Sequence, residues 1–236
     1  NYQLIAYYLQ QVGINVDCAP MLDILFEHSH DIVGDRAFGT TAEQVTQLGE
    51  EAIAGLKSGC VLPVIKHIPG HGRATRDSHH ALPIVECSYD ELQALDFKPF
   101  KALCHEKLGM TAHITYTAID KEHCATQSQQ VINLIRDEIG FDGLLMTDDL
   151  SMKALQGTYQ ERAQKSLDAG CDVILHCNGD MKEMQAIAEV VPSCEGKVQS
   201  RLQEAWNELI AISPEPFNPE FALEQHRLLL GAKKTA

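Results

Sequence analysis

No apolar run in this chain approaches the ~20 residues needed to cross a bilayer, and no secretory signal peptide opens it. A membrane-spanning or secreted protein is therefore disfavoured, and a cytoplasmic one is expected. Basic residues are scarce: 19 Lys and Arg stand against 33 Asp and Glu, a formal net charge of −14. Such a surface repels phosphate backbones and anionic lipid, so neither nucleic acid nor a membrane surface is expected as a partner. None of the eight cysteines forms a CxxC pair, and most lie in apolar segments. The expectation is buried, reduced thiols rather than a disulfide framework. Neither GxGxxG nor GxxxxGK[ST] occurs, which removes the support for dinucleotide and P-loop readings. Low-complexity tracts and short repeats are also missing.

What is present is alternation. With 236 residues the chain suits one large domain or two small ones. Tyr2 to Val12 reads as the tail of an amphipathic helix stopped at Gly13. A strand follows, running from Ile14 into Ala19-Pro-Met-Leu-Asp23. Thr41 and Gln44 have capping-box spacing ahead of a helix that Gly59 closes, and Val61–His67 is a second strand. Ser88 with Glu91 opens another helix, which Pro99 is expected to kink or break. Leu108–Thr115 is a third strand, Ser128 caps a helix that stops at Gly140, and Gly143–Thr147 is a fourth strand. Thr158 with Glu161 boxes the helix ending at Gly170, Asp172–Cys177 is a fifth strand, and Met181–Val191 is helical. Two C-terminal helices, 198–212 and 219–230, flank a Pro-rich break. Short apolar strands separated by helices are the pattern of parallel βαβ units, whose working residues stand at the C-terminal ends of the strands.

Two of those ends carry dense chemistry. After the second strand, Lys66-His67-Ile-Pro-Gly-His71-Gly-Arg73-Ala-Thr-Arg76-Asp77-Ser-His79-His80 packs four histidines, three cations and one carboxylate into fifteen residues. A loop this polar suggests function rather than packing. Asp77 and His79 stand two apart, so in extended backbone they share a side, and the carboxylate can orient an imidazole that exchanges protons near neutral pH. After the fourth strand, Thr147-Asp148-Asp149 delivers two adjacent carboxylates that must face opposite ways. One can enter a central pocket as nucleophile or charge stabiliser, while the bland alternative has each acid capping a helical turn. Arg36, in a Gly-flanked loop, can fork onto a polar ligand or form a surface ion pair. His113 on an apolar strand reads first as a satisfied core residue, and Asp23 can hold a neighbouring cation. A metal site from His67, His71, Asp77 and His79 is disfavoured, because Gly and Pro between them give no rigid ligand face.

Together, Lys66-His67-Ile-Pro-Gly-His71-Gly, Asp77-Ser-His79 and Phe141-Asp-Gly-Leu-Leu-Met-Thr-Asp148-Asp-Leu-Ser-Met resemble the bacterial β-N-acetylglucosaminidases of glycoside hydrolase family 3, enzymes of peptidoglycan recycling. Ala19-Pro-Met-Leu-Asp23, Gly34-Asp-Arg36, Ala112-His113 and Ser166–Leu175 extend the likeness over nearly all of residues 1–180. The resemblance implies an α/β fold, a (β/α)8 TIM barrel that is incomplete here because the family's first two βα units are absent, followed by C-terminal helices. It divides the chain into a partial catalytic barrel, 1–195, and a helical extension, 196–236. It also implies a retaining two-step hydrolysis of terminal β-GlcNAc in GlcNAc-containing muropeptides. Asp148 would be the nucleophile, His79 paired with Asp77 the acid/base, and Arg36, Lys66 and His67 the ligands of sugar hydroxyls. Neither a cofactor nor a metal is implied, and the enzyme is expected to be a monomer. A family phosphorylase that transfers the sugar to phosphate and a non-catalytic sugar-binding relic are the alternatives.

Overall fold

The computed structural model describes residues 1–31, 33–74, 82–214 and 216–232. The chain opens with α1 (Tyr2–Gln11), then β1 (Val16–Asp17), α2 (Ala42–Ser58), β2 (Leu62–Pro63) and β3 (Ile65–Ile68). Next come β4 (Ile84–Val85), α3 (Tyr89–Glu91), α4 (Lys98–Ala102), β5 (Leu108–Thr111), β6 (Thr115–Tyr116), α5 (Gln129–Leu134) and β7 (Leu144–Met146). Four helices finish it: α6 (Tyr159–Ala169), α7 (Met181–Ala188), α8 (Gly196–Ala211) and α9 (Pro219–Ala232).

The strands are parallel and, apart from the separate β4–β6 pair, lie side by side in the order in which the chain makes them. β1 pairs β2, with the ladder extended by a Met21–Lys66 bridge, β3 pairs β5, and β5 pairs β7. The fifth segment joins at a Met146–Val173 bridge. Backbone hydrogen bonds Thr147 N–H to Val173 O (2.9 Å) and Leu150 N–H to Leu175 O (3.0 Å) continue that pairing. An α/β architecture with parallel strands is thus what the sequence pattern anticipated. Sequential strand order is the order followed around barrels, whereas doubly wound sheets reverse direction at a switch point.

Local chemistry explains most boundaries. Ser88 with Glu91 and Thr158 with Glu161 form full capping boxes, and Ser128 Oγ accepts from Val131 N–H. Thr41 Oγ1 accepts from Gln44 N–H as the spacing implied, but the Gln44 side chain lies against Gly39 and gives no return bond among those observed. Phe97 separates a wide turn at Leu92–Asp96 from α4, so the break around Pro99 occurs where expected. Gly140 stops its helix with φ +82°, a conformation that costs glycine nothing.

Three expectations need correction. The third strand does not run unbroken over 108–115; it stops at Thr111 and resumes as β6, which pairs with β4, a two-residue strand the pattern did not mark. The fifth strand is reduced to a bridge and its flanking bonds. All eight cysteines are unpaired, as anticipated, but only Cys124 and Cys171 are buried, while Cys18, Cys177 and Cys194 are exposed. These three stand at segment ends, where flanking apolar letters say little about depth.

The two faces of the sheet are buried differently. Ile65, Ile68 and Leu145 pack with Val45, Ile53, Phe97, Phe100, Val131 and Ile135 beneath the helices. On the other face, Leu62, Val64, Leu108, Met110 and Leu144 meet Val198, Ala205 and Leu209 of α8, with Ile212 just beyond it. Alternation along β5 and β7 produces this division, since neighbouring residues point to opposite sides. Arg201 of α8 ties the helix down by donating from Nη1 to Asp172 Oδ1 at 2.9 Å, while Arg136 Nη2 reaches Asp172 Oδ2 at 2.7 Å. Among the described residues, no helix is long and apolar enough to cross a membrane.

Candidate active site

The C-terminal ends of the parallel strands converge on one polar cluster. Asp148 follows β7, Lys66 and His67 lie in β3, Asp23 follows the Met21 bridge, and His113 follows β5. Asp148 is buried, 7% exposed. Burial pushes its carboxyl up, but the neighbouring imidazoles of His67 and His113 and the N–H of Asp149 outweigh that and hold it below the ordinary value. Asp149 N–H donates to Asp148 Oδ1 at 2.8 Å. Asp149 itself turns away. Its Oδ1 accepts from the N–H of Ser151 (3.0 Å) and of Cys177 (3.1 Å), and its Oδ2 accepts from Ser151 Oγ. The capping role therefore falls to Asp149, and Asp148 is the carboxylate left to the cluster.

Asp23 is fully enclosed and organises the opposite side. Its Oδ2 accepts from His67 Nδ1 at 2.7 Å and its Oδ1 from the backbone N–H of His71 at 2.6 Å. The first bond sets the His67 tautomer, with the proton on Nδ1 and Nε2 as the remaining ring nitrogen. Burial raises the Asp23 carboxyl, and the His67 partnership more than reverses it. His71 is driven down to about 4, by burial first and by His67 second, so it is neutral at pH 7. His113 is also lowered by burial. Its Nε2–H donates to Asp149 O at 3.1 Å, and Nδ1 pairs with Thr126 Oγ1 at 2.7 Å. It is the satisfied core histidine that its apolar strand suggested, yet it also fixes the peptide beside Asp148.

The Gly/Pro segment after β3 is rooted by several independent bonds. Tyr116 OH donates to Gly70 O at 2.7 Å, Ser29 Oγ to Gly72 O at 2.5 Å, and His30 N–H to Ala74 O at 2.9 Å. A Cβ at Gly72 would run into the carbonyl oxygen of Ile24, which explains glycine there. Arg73 Nε donates to Asp96 Oδ2 at 2.8 Å, and its guanidinium lies 4.3 Å from the Phe26 ring centroid. Burial pushes Asp96 up to about 6 even so. An acid raised in the fold is destabilising once ionised, so its penalty is absent at low pH and grows as pH rises from about 4 through 6. Replacing Asp96 by Asn should remove that dependence. Chemical-denaturation curves from pH 4 to 7.5 should show the variant gaining about 2–3 kcal/mol on the parent, at 1.36 kcal/mol per pKa unit. A pH-independent difference would show that Asp96 does not titrate in this range.

The predicted site residues separate into three groups. Asp148, Lys66 and His67 share the strand-end cluster. Lys66 is half-buried, and its charge acts on Asp17 and Cys18, the latter also feeling Asp148. Arg36 is exposed, in a single helical turn at Gly34–Arg36. Asp77 and His79 lie outside the described residues. No group of three or more His, Cys, Asp or Glu with metal-binding geometry occurs among the described residues. His176, at the end of the fifth strand segment, was not singled out, because the acids beside it come from the turn after β7 and from α7 and no local spacing points to them.

Residues 3–211 match the glycosyl hydrolase family 3 N terminal domain. The chain belongs to this family. It is 34% identical to a beta-hexosaminidase of Idiomarina loihiensis over 202 residues, 84% of this chain and 61% of that protein. It is 38% identical to a beta-hexosaminidase of Tolumonas auensis over 180 residues, 74% of this chain and 53% of that one. Its length therefore spans little more than half of these relatives. A family 3 beta-N-acetylglucosaminidase from Paenibacillus superposes with a TM-score of 0.80 at 33% identity, covering 92% of this chain and 44% of that one. NagZ from Neisseria gonorrhoeae in complex with N-trifluoroacetyl-D-glucosamine superposes with a TM-score of 0.77 at 29% identity, covering 93% and 61%. As a family 3 chain, it keeps its charged strand-end cluster within the stretch that matches the domain.

Proposed function

We propose that this chain carries the catalytic machinery of a retaining exo-β-N-acetylglucosaminidase built on a (β/α)8 barrel, with residues 1–195 in the barrel and 196–236 as a helical extension. The observation that supports it most is Asp148: a buried carboxylate, kept ionised by facing imidazoles, at the end of a parallel strand in a family 3 chain. Its Oδ attacks the anomeric carbon as the glycosidic bond breaks, leaving a covalent glycosyl–enzyme ester. His79, oriented by Asp77, gives its proton to the departing oxygen and then takes one from the water that cleaves the ester. An imidazole in that role places no second anion beside Asp148, unlike the carboxylate pair of most retaining glycosidases. Lys66, His67 and Arg36 bind sugar hydroxyls. The natural substrates are GlcNAc-terminated muropeptides of peptidoglycan turnover in the cytoplasm, cleaved by a monomer without a cofactor.

The test is stereochemical. Proton NMR of an aryl N-acetyl-β-glucosaminide reaction should show β-GlcNAc as the first-formed sugar, with the α anomer appearing only by mutarotation. An α product at the outset, or no turnover of either the aryl glycoside or a GlcNAc-anhydro-muropeptide, would overturn the reading.

A further inference from the structure

One enclosed imidazole takes no part in the proposed chemistry. The His176 side chain is 6% exposed and lies between two acids, with Nδ1 4.0 Å from Asp149 Oδ1 and Nε2 3.1 Å from Glu183 Oε2. Tyr159 meets it edge-on, ring centroids 5.2 Å apart. Burying so polar a ring is unfavourable unless something faces its nitrogens, and here each nitrogen lies within 4.0 Å of a carboxylate from a different segment, as a contact without a hydrogen bond among the described residues. Glu183 belongs to the first turn of α7, which Asp180 caps by accepting from the N–H of Lys182 (2.9 Å) and Glu183 (3.2 Å). Asn178 also donates to Glu183. Asp149 is the hub on the other side. Its carboxylate holds Ser151 and Cys177, its N–H orients Asp148, and its carbonyl accepts from His113. Arg162 Nη1 pins the next carbonyl, Leu150 O, at 2.6 Å and stacks 5.0 Å from the Tyr159 ring.

We infer that His176 is a positioning residue: it staples α7, through Glu183, to the Asp148–Asp149 turn and so fixes the orientation of the Asp148 carboxylate. The inference rests on the reading of Asp148 as nucleophile for its kinetic consequence, but not for its structural one. A nucleophile displaced by a fraction of an ångström loses rate without losing substrate affinity, because binding is carried by other groups. His176 is accordingly expected to move kcat and to leave KM alone, which a mere volume filler would not do.

Two variants separate these roles. His176→Phe keeps the ring and its contact with Tyr159 but removes both nitrogens, whereas His176→Gln retains an amide donor near the Nε2 position. Steady-state kinetics on an aryl N-acetyl-β-glucosaminide should show His176→Phe losing about tenfold or more in kcat with KM nearly unchanged, and His176→Gln keeping most of the rate. Glu183→Gln, on a partly exposed helix turn, should lose rate in the same direction. Hydrogen exchange supplies a readout independent of turnover. The amides of Ser151 and Cys177, which donate to Asp149, should exchange faster in His176→Phe while those of β5 stay as protected as before. If His176→Phe leaves both kcat and these two amides as in the parent, the staple does not exist. If the parent turns over no N-acetyl-β-glucosaminide while the exchange result holds, the staple stands and the glycosidase reading falls.

Discussion

Asp148→Ala is expected to reduce kcat on an aryl N-acetyl-β-glucosaminide by about 10⁴-fold or more, the scale on which loss of a covalent nucleophile is felt. In the proposed mechanism no ester forms without that carboxylate, and the two nearest acids among the described residues are already engaged. Asp149 is committed to Ser151 and Cys177, and Asp23 is enclosed by His67 and His71. Azide, small enough to enter the space left by the carboxylate, should restore turnover and give the α-glycosyl azide, because only one displacement then occurs. Asp149→Asn provides the contrast. Its side-chain carbonyl oxygen can still accept from both amides, as Asp149 Oδ1 does, so it should slow turnover far less than Asp148→Ala and give no azide product of inverted configuration. The result that sinks the assignment is simple: near-parental rates in Asp148→Ala. Since its neighbours hold Asp148 below the ordinary carboxylate value, its ionisation is not expected to set the acid limb of the pH–rate profile.

Elements with strong local chemistry were legible in the sequence. The capping boxes at Ser88 and Thr158, the left-handed stop at Gly140 and the break around Pro99 follow from contacts within a few residues, so letters alone carry them. The division between Asp148 and Asp149 was half legible. Strand alternation requires the two to diverge, but which one turns inward depends on Cys177 and His113, 28 and 36 residues away from Asp149. Asp23 was a candidate to hold a cation, and the structure pairs it with His67, 44 residues on. The short β4–β6 pairing escaped notice because two-residue strands have no periodicity to detect. Cysteine depth was misjudged at Cys18 and Cys177, where the chain leaves the sheet and an apolar neighbour no longer implies burial. His176 went unmarked for a related reason: its partners come from α7 and from the turn after β7, and no local spacing links them.

His79→Ala should divide substrates by how well their leaving group departs unaided. An alkoxide from a natural sugar aglycone needs a proton as the bond breaks, and losing the donor should reduce kcat/KM on such substrates by about 10²–10⁴-fold. A dinitrophenolate departs without help, so kcat/KM for that glycoside should stay close to the parent's. Its kcat should nevertheless fall, because in the proposed mechanism the same imidazole deprotonates the water that cleaves the ester. The intermediate then accumulates and KM falls with kcat, a signature that a binding defect does not produce. Azide needs no base, and in this variant it should restore kcat and yield the β-glycosyl azide, since in the proposed mechanism Asp148 still performs the first of two inversions. The two azide products, α from Asp148→Ala and β from His79→Ala, therefore test the two residues on one axis. Equal losses on dinitrophenyl and alkyl glycosides would assign the proton to another group. If Asp77 is the partner proposed for His79, Asp77→Asn should weaken both steps in the same sense but less than removing the ring, because a neutral amide can still orient a tautomer while supporting an imidazolium poorly.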